Sequence, residues 1–143
     1  MKMKKFRILL CSILSVVLLL ATSCGKDDDS TSQSVADELV GTYVGKLDLY
    51  TPGGGLTNHF DAEIILTKTG SGSVNITPKS NTAYSTLAVK NYTGLQKQGP
   101  LIISTIGSPT GYITFDTGAK SLMTLTMQTG TADVWGNFVG VRK

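Results

Sequence analysis

From Gly41 onward the sequence has no long stripe of apolar residues at helical spacing, and what replaces it restricts the fold more than any other feature. Short alternating runs recur, rich in Thr, Val, Ile and Tyr and separated by clusters of Gly, Pro, Asn and Ser. We count eight, over 42–50, 58–68, 72–77, 82–91, 101–106, 111–117, 120–128 and 132–141. Most of the intervening linkers are of hairpin length, so consecutive strands are expected to be antiparallel neighbours. The expected fold class is all-β, and residues 41–143 are enough for one small domain.

Eight sequential antiparallel strands have two solutions, a closed up-and-down barrel or a two-sheet sandwich. Closure is favoured by a likeness between the ends. The first strand reads Gly41-x-Tyr43-x-Gly45 and the last reads Gly136-x-Phe138-x-Gly140. If the two pair, a ring on one can cover the bare backbone of a glycine on the other; otherwise both glycine pairs simply mark bulges. The opening Gly41-Thr42-Tyr43-Val44-Gly45-Lys46-Leu47 and the closing Phe138-Val139-Gly140-Val141-Arg142 resemble the terminal strands of calycin-like (lipocalin-like) β-barrels found in surface lipoproteins of the Bacteroidetes type. That resemblance implies a small eight-stranded antiparallel up-and-down barrel. It departs from lipocalins proper in having Tyr43 where their first strand carries Trp, in its shorter domain and in lacking a long C-terminal helix. By analogy, Arg142 would stack on Tyr43, an interaction contributing about 0.5–2 kcal/mol.

Alternation assigns the interior to Tyr43, Leu47 and Leu49; to Phe60, Ala62, Ile64 and Leu66; and to Val74 with Ile76, Leu87 with Val89, and Ile113 with Phe115. It leaves Leu101-Ile102-Ile103 ambiguous, as it does Met123, Leu125 and Met127 against Leu122. Up-and-down topology gathers the loops 51–57, 78–81, 107–110 and 129–131 at one end and both termini at the other. Near the loop end lie Tyr50, His59, Phe60, Tyr84, Tyr112 and, deeper, Trp135. These six are the candidate ligand-binding residues, forming a mouth lined by rings for a small apolar molecule or a saccharide. The alternative is that the rings plug the barrel end.

The amino terminus carries an address. A cationic start (Lys2, Lys4, Lys5, Arg7), an apolar run over 8–20 and the small residues Ala21-Thr22-Ser23 before Cys24 read as a secretory signal. The alternative, a spanning anchor, needs about 20 apolar residues, and this run is short and interrupted by Cys11, Ser12 and Ser15. Cysteine at the first mature position resembles a lipoprotein signal, with Ala21 where the motif usually carries Leu. The resemblance implies lipidation of Cys24, palmitate included, and anchoring at the outer membrane. Asp27-Asp28-Asp29 resembles a surface-export signal, so exposure at the cell surface is expected, the periplasmic face being the alternative. The expected organisation is a lipoprotein signal peptide over 1–23, a lipidated Cys24 with a flexible polar tether over 24–40, and a lipocalin-like barrel over 41–143. Within the tether, 34–40 is expected to form one or two helical turns.

Removing the signal turns the formal charge of +3 to about −1, since nine Lys/Arg and ten Asp/Glu remain. Arg142 is then the only arginine and the lysines do not cluster, so the footprint of nucleic-acid binding is missing. Catalysis finds little support. Asp61 and Glu63 are expected on a solvated outer face beside His59, the sole histidine. Without cysteine in the domain no ordinary zinc site can be assembled. Gly53-Gly54-Gly55 lacks the Gly-Lys-Ser/Thr and following helix of a phosphate loop. No catalytic residue, metal or cofactor is therefore assigned. Two function classes follow: a lipid-anchored, lipocalin-like protein binding a small apolar or saccharide ligand, or a non-enzymatic module that docks a protein partner or acts as an inhibitor in a surface complex.

Overall fold

The two glycine-flanked strands at the ends of the domain meet at the centre of its sheet. In the computed structural model, residues 33–105 and 110–143 are described, and Gln33–Lys143 forms one unit. Helix α1 (Val35–Leu39) precedes β1 (Gly41–Thr51), β2 (Gly55–Gly70), β3 (Ser73–Pro78), β4 (Lys90–Tyr92), β5 (Gln96–Gln98), β6 (Leu101–Ile103), β7 (Gly111–Asp116), β8 (Ser121–Thr126) and β9 (Trp135–Arg142). All pair antiparallel in the order β4-β3-β2-β1-β9-β8-β7-β6-β5. This is the neighbour order of an up-and-down barrel with one ladder missing, between β4 and β5. The sheet curls into a half-barrel. Side chains cross the seam instead: Tyr92 Oη donates to the Leu125 carbonyl at 3.1 Å, and Thr110 Oγ1 to that of Asn91 at 3.1 Å.

First and last strands pair as expected, with Gly45 opposite Gly140 and Tyr43 opposite Arg142. The glycines are required by contact distance. A Cβ on Gly45 would lie 2.2 Å from the Val139 carbonyl oxygen. One on Gly140 would lie 2.5 Å from Phe138 Cζ, so the ring covering that glycine belongs to its own strand. The guanidinium carbon of Arg142 lies 5.4 Å from the Tyr43 ring centre and 5.0 Å from that of Phe115. At the other end of β1, Gly53 and Gly54 take φ of 93° and 91°, which closes the β1–β2 turn.

The expected eight strands are corrected to nine among the described residues. The run 82–91 contributes only β4; before that it turns on itself, Ser85 N–H donating to the Thr82 carbonyl and Leu87 N–H to that of Tyr84, both at 3.1 Å. Its hydroxyls hold these turns, Thr82 Oγ1 reaching the Lys79 carbonyl and Ser85 Oγ the Thr82 carbonyl, each at 2.8 Å. Val89, expected inside, is therefore exposed. Conversely Gln96–Gln98, expected as loop, forms β5.

The concave side holds the core: Tyr43, Leu47, Ile64, Leu66, Ile76, Tyr92, Ile102, Ile113, Phe115, Leu122 and Phe138 are fully buried. Helix α1 closes one end. Ala36 and Leu39 are fully buried, Ala36 N–H donates to the Ser71 carbonyl at 3.2 Å, and Tyr43 Oη donates to the Leu39 carbonyl at 2.7 Å. Arg142 Nη2 donates to Tyr43 Oη at 2.9 Å and to the Glu38 carbonyl. Residues 79–89 and 129–134 cross the opposite end, joined where Ala88 N–H donates to the Val134 carbonyl at 3.0 Å. Beneath them Lys90 is buried and reaches Asp133 Oδ2 at 2.6 Å.

Candidate functional site

The six expected mouth residues separate into pairs and singles. Tyr50 and Trp135, opposite each other on β1 and β9, stack with ring centres 4.1 Å apart and planes 11° apart. Their positions alternate with the buried Leu49 and Gly136, so the stack lies on the convex side. His59 and Tyr84 meet at 5.2 Å and 58°. Tyr84 is buried and its Oη accepts the Glu63 N–H at 2.9 Å, sealing the part of β2 that extends beyond β3. Tyr112 stands on the convex side of β7, opposite Leu125.

A bulge corrects the two remaining positions. Gly45 pairs with Ala62 but Leu47 pairs with His59, so Phe60 and Asp61 together oppose Lys46. The extra residue inverts the alternation. Phe60, expected inside, is 71% exposed, and His59, expected on the outer face, shares the side of Leu47. Cys24 lies outside the described residues.

What the ladders do bring together is an apolar patch on the convex side. One cross-strand row runs Val44, Val141, Ser121, Asp116, Leu101. The next runs Lys46, Val139, Met123, Thr114, Ile103, and a third Asp48, Asn137, Leu125, Tyr112. The Tyr50–Trp135 stack ends the series. Val139 is 58% exposed, Val141 55% and Met123 41%. With strands about 4.8 Å apart and rows about 7 Å apart, the rows cover roughly 20 by 20 Å, or about 400 Å², with Lys46, Asp48, Asp116, Ser121, Thr114 and Asn137 as their polar members. Monomers seldom expose more than a few hundred Å² of contiguous apolar surface without a use for it.

Charge borders the patch: Asp116 stands in its first row, Lys46 faces Val139 across the β1–β9 ladder, and the other ion pairs lie toward β2. Lys46 pairs with Asp48 at 2.9 Å, and Asn58 Nδ2 donates to Asp48 at 2.7 Å. Glu63 meets Lys79 at 3.1 Å and Lys143 at 3.4 Å, and the Lys79 ammonium holds its carboxyl below the usual range. Two depressions flank Ile103. One, about 250 Å³, is lined by Gly94, Gln96, Gln98, Ile103, Ser104 and Thr105. The other, about 140 Å³, is lined by Ile103, Ser104, Tyr112, Ile113 and Thr114. Both fall below the roughly 300–1,000 Å³ of small-molecule sites and suit inserted side chains better.

Among the described residues no group of three or more His, Cys, Asp or Glu side chains is placed to hold a metal ion. Sequence reasoning missed the convex patch because alternation assigns one apolar face per strand. The available signal was apolar character on both faces, in Leu101-Ile102-Ile103 and in Leu122 to Leu125. No family model, curated protein or solved structure matches the chain.

Proposed function

We propose that this protein is a non-enzymatic interaction module, lipid-anchored through Cys24 at the outer membrane and carried on a lipocalin-like half-barrel that docks a protein through its convex face. The observation that carries the reading is the apolar patch of Val139, Val141, Met123, Leu125 and Tyr112 on the convex face, bordered by the Lys46–Asp48 and Glu63–Lys79 ion pairs. An apolar centre with a polar margin is the anatomy of a protein interface. A small ligand inside the barrel has less support. Tyr92 spans the concave space from β4 to the Leu125 carbonyl, and Tyr43 packs edge-on to Phe115 with ring centres 5.9 Å apart.

The test is native electrophoresis of host membranes solubilised in mild detergent. Wild type should migrate in an assembly, and Met123→Lys with Val139→Glu should release it while Cys24 still incorporates labelled palmitate. Migration of wild type as a free monomer would refute the reading.

A further inference from the structure

We infer that the occupant of the convex patch is a second copy of this chain, related by a two-fold axis that lies between the two sheets and runs roughly along the strands between β7 and β8. The inference rests on the interaction reading and names its partner. The argument is self-complementarity. A two-fold interface requires every feature of the patch to meet another feature of the same patch. This one carries a ridge on one side and depressions on the other. Met123 and Val139, adjacent across β8 and β9, protrude. The depressions of about 250 and 140 Å³ lie on either side of Ile103, on β6 with its neighbours β5 and β7.

Register makes the match specific. Val139, Met123, Thr114 and Ile103 belong to one cross-strand row. Rotation about an axis along the strands keeps each row at its own height and exchanges left for right. The Met123–Val139 ridge of each copy then falls on the depressions beside Ile103 of the other. Tilting the axis accommodates the crossing of about 30° usual for sheets packed face to face. Asp116, beside the axis, faces Ser121 of the other copy and turns its carboxylate to the Gly118 and Ala119 N–H groups at 2.8 and 2.9 Å, while the paired Lys46–Asp48 and Glu63–Lys79 groups stand at the margin.

The size suits a weak pair. The axis sets β5, β6 and β7 against β1, β9 and β8 of the other copy, a span of roughly 24 Å, and four rows with their side chains span roughly 25 Å, so the footprint is at most about 600 Å² and the curl of the sheet reduces it. That is below the roughly 800 Å² each partner of a standard-size interface contributes, at the transient end of specific association. The apolar rows supply the centre and Gln96 and Gln98 the rim, both being exposed residues of β5.

The experiment is sedimentation velocity on the chain lacking its first 23 residues with Cys24→Ser, which retains the whole Gln33–Lys143 unit. A mass twice that of the monomer is expected at tens of micromolar, and Val139→Glu should weaken association at least tenfold with an unchanged far-ultraviolet spectrum. In full-length protein in host membranes, Ile103→Cys with Val139→Cys, which the axis brings face to face, should give an oxidised covalent dimer, whereas Thr67→Cys on the charged half should not. A monomer at every concentration together with no cross-link would overturn the dimer, as would a dimer indifferent to Val139→Glu. If the dimer fails but Val139→Glu still releases the protein from a native assembly, the interaction reading stands with a different partner. If Val139→Glu changes neither, both fall. Binding of the monomer to phosphatidylethanolamine–phosphatidylglycerol vesicles, lost in Val139→Glu, would overturn the dimer in favour of a lipid surface.

Discussion

Two threonines on one strand face make opposite predictions. Thr124 and Thr126 both point into the core from β8 and are equally buried. Thr126 Oγ1 accepts the Gly136 N–H at 2.6 Å and donates to the Gly136 carbonyl at 2.7 Å, replacing a rung of the β8–β9 ladder, which ends at Leu125 and Asn137. Thr124 Oγ1 has no partner. Valine keeps the shape of threonine and removes the hydroxyl. In Thr126→Val two buried backbone groups lose their partner, each worth roughly 1–3 kcal/mol, so a loss of about 2–4 kcal/mol is expected. In Thr124→Val an unmet hydroxyl is replaced by a methyl, which is expected to be neutral or to stabilise by about 1 kcal/mol. For a domain of this size each kcal/mol moves Tm by about 4 °C, so Thr126→Val should melt roughly 10 °C lower. Urea unfolding followed by fluorescence of Trp135, the sole tryptophan, reads both with the slope unchanged. Stabilities of the two variants within 0.5 kcal/mol of each other (about the error of the measurement) would refute the assignment of these hydroxyls.

Two further perturbations test the closures at the barrel ends. Asp37 accepts from Lys68 at 2.9 Å and from Ser34, contacts that lower its pKa from 3.8 to about 2. A depressed carboxyl contributes stability that is complete above the unfolded value and lost as pH falls through the folded one, so α1 should loosen between about pH 4 and pH 2. The Ser34 amide nitrogen shift, which reports the bond to Asp37 at 2.9 Å, should titrate with that low midpoint; an ordinary carboxyl midpoint would contradict it. At the other end, Asp133 is held far below the usual carboxylate range by Lys90, Thr129 and the Gly130 N–H. Asp133→Asn leaves the Lys90 ammonium buried with only uncharged acceptors, the Asn amide oxygen and Thr129, whereas Lys90→Met buries no charge. The melting order should therefore be wild type, Lys90→Met, Asp133→Asn, with Lys90→Met restoring stability to Asp133→Asn.

Period-two patterning located β1, β3, β7 and β9, and it assigned the buried faces of β3 and β7 because those two have one apolar and one polar side. It failed at Phe60 because a bulge is an insertion relative to the partner strand, and nothing within β2 alone records where Lys46 will stand. It failed over 82–91 because Thr82 and Ser85 bond the local backbone and outcompete a ladder. β5 escaped notice because Gln96-Lys97-Gln98 has no strand signature and forms only as an edge laid against β6. The ring-lined mouth was an inference from proximity to one rim. Convex and concave sides of a strand share that rim, and the bulge together with the turn at Tyr84 sorted the rings onto different sides.

The outward placement of Met123 and Leu125 ties the address to the surface. A slip of β8 by one residue would bury them in place of Leu122 and Thr124. The concave side gives no room for it: Leu122 stands opposite Phe115 and Gly140, where even a Cβ on Gly140 would touch the Phe138 ring at 2.5 Å. Register is therefore set from within, and the larger apolar residues face solvent unless a partner covers them. A two-fold pair of this footprint stands at the low end of specific interfaces, where association is weak, so micromolar dimers are expected in solution. The proposed anchoring of both copies to one surface through Cys24 would raise their effective concentration, as any shared tether does, and shift such a pair toward the dimer without a new contact. Covalent pairing of Ile103→Cys with Val139→Cys should accordingly be more complete when Cys24 is present than for Cys24→Ser at equal total concentration, and equal yields would separate the anchor from the interface.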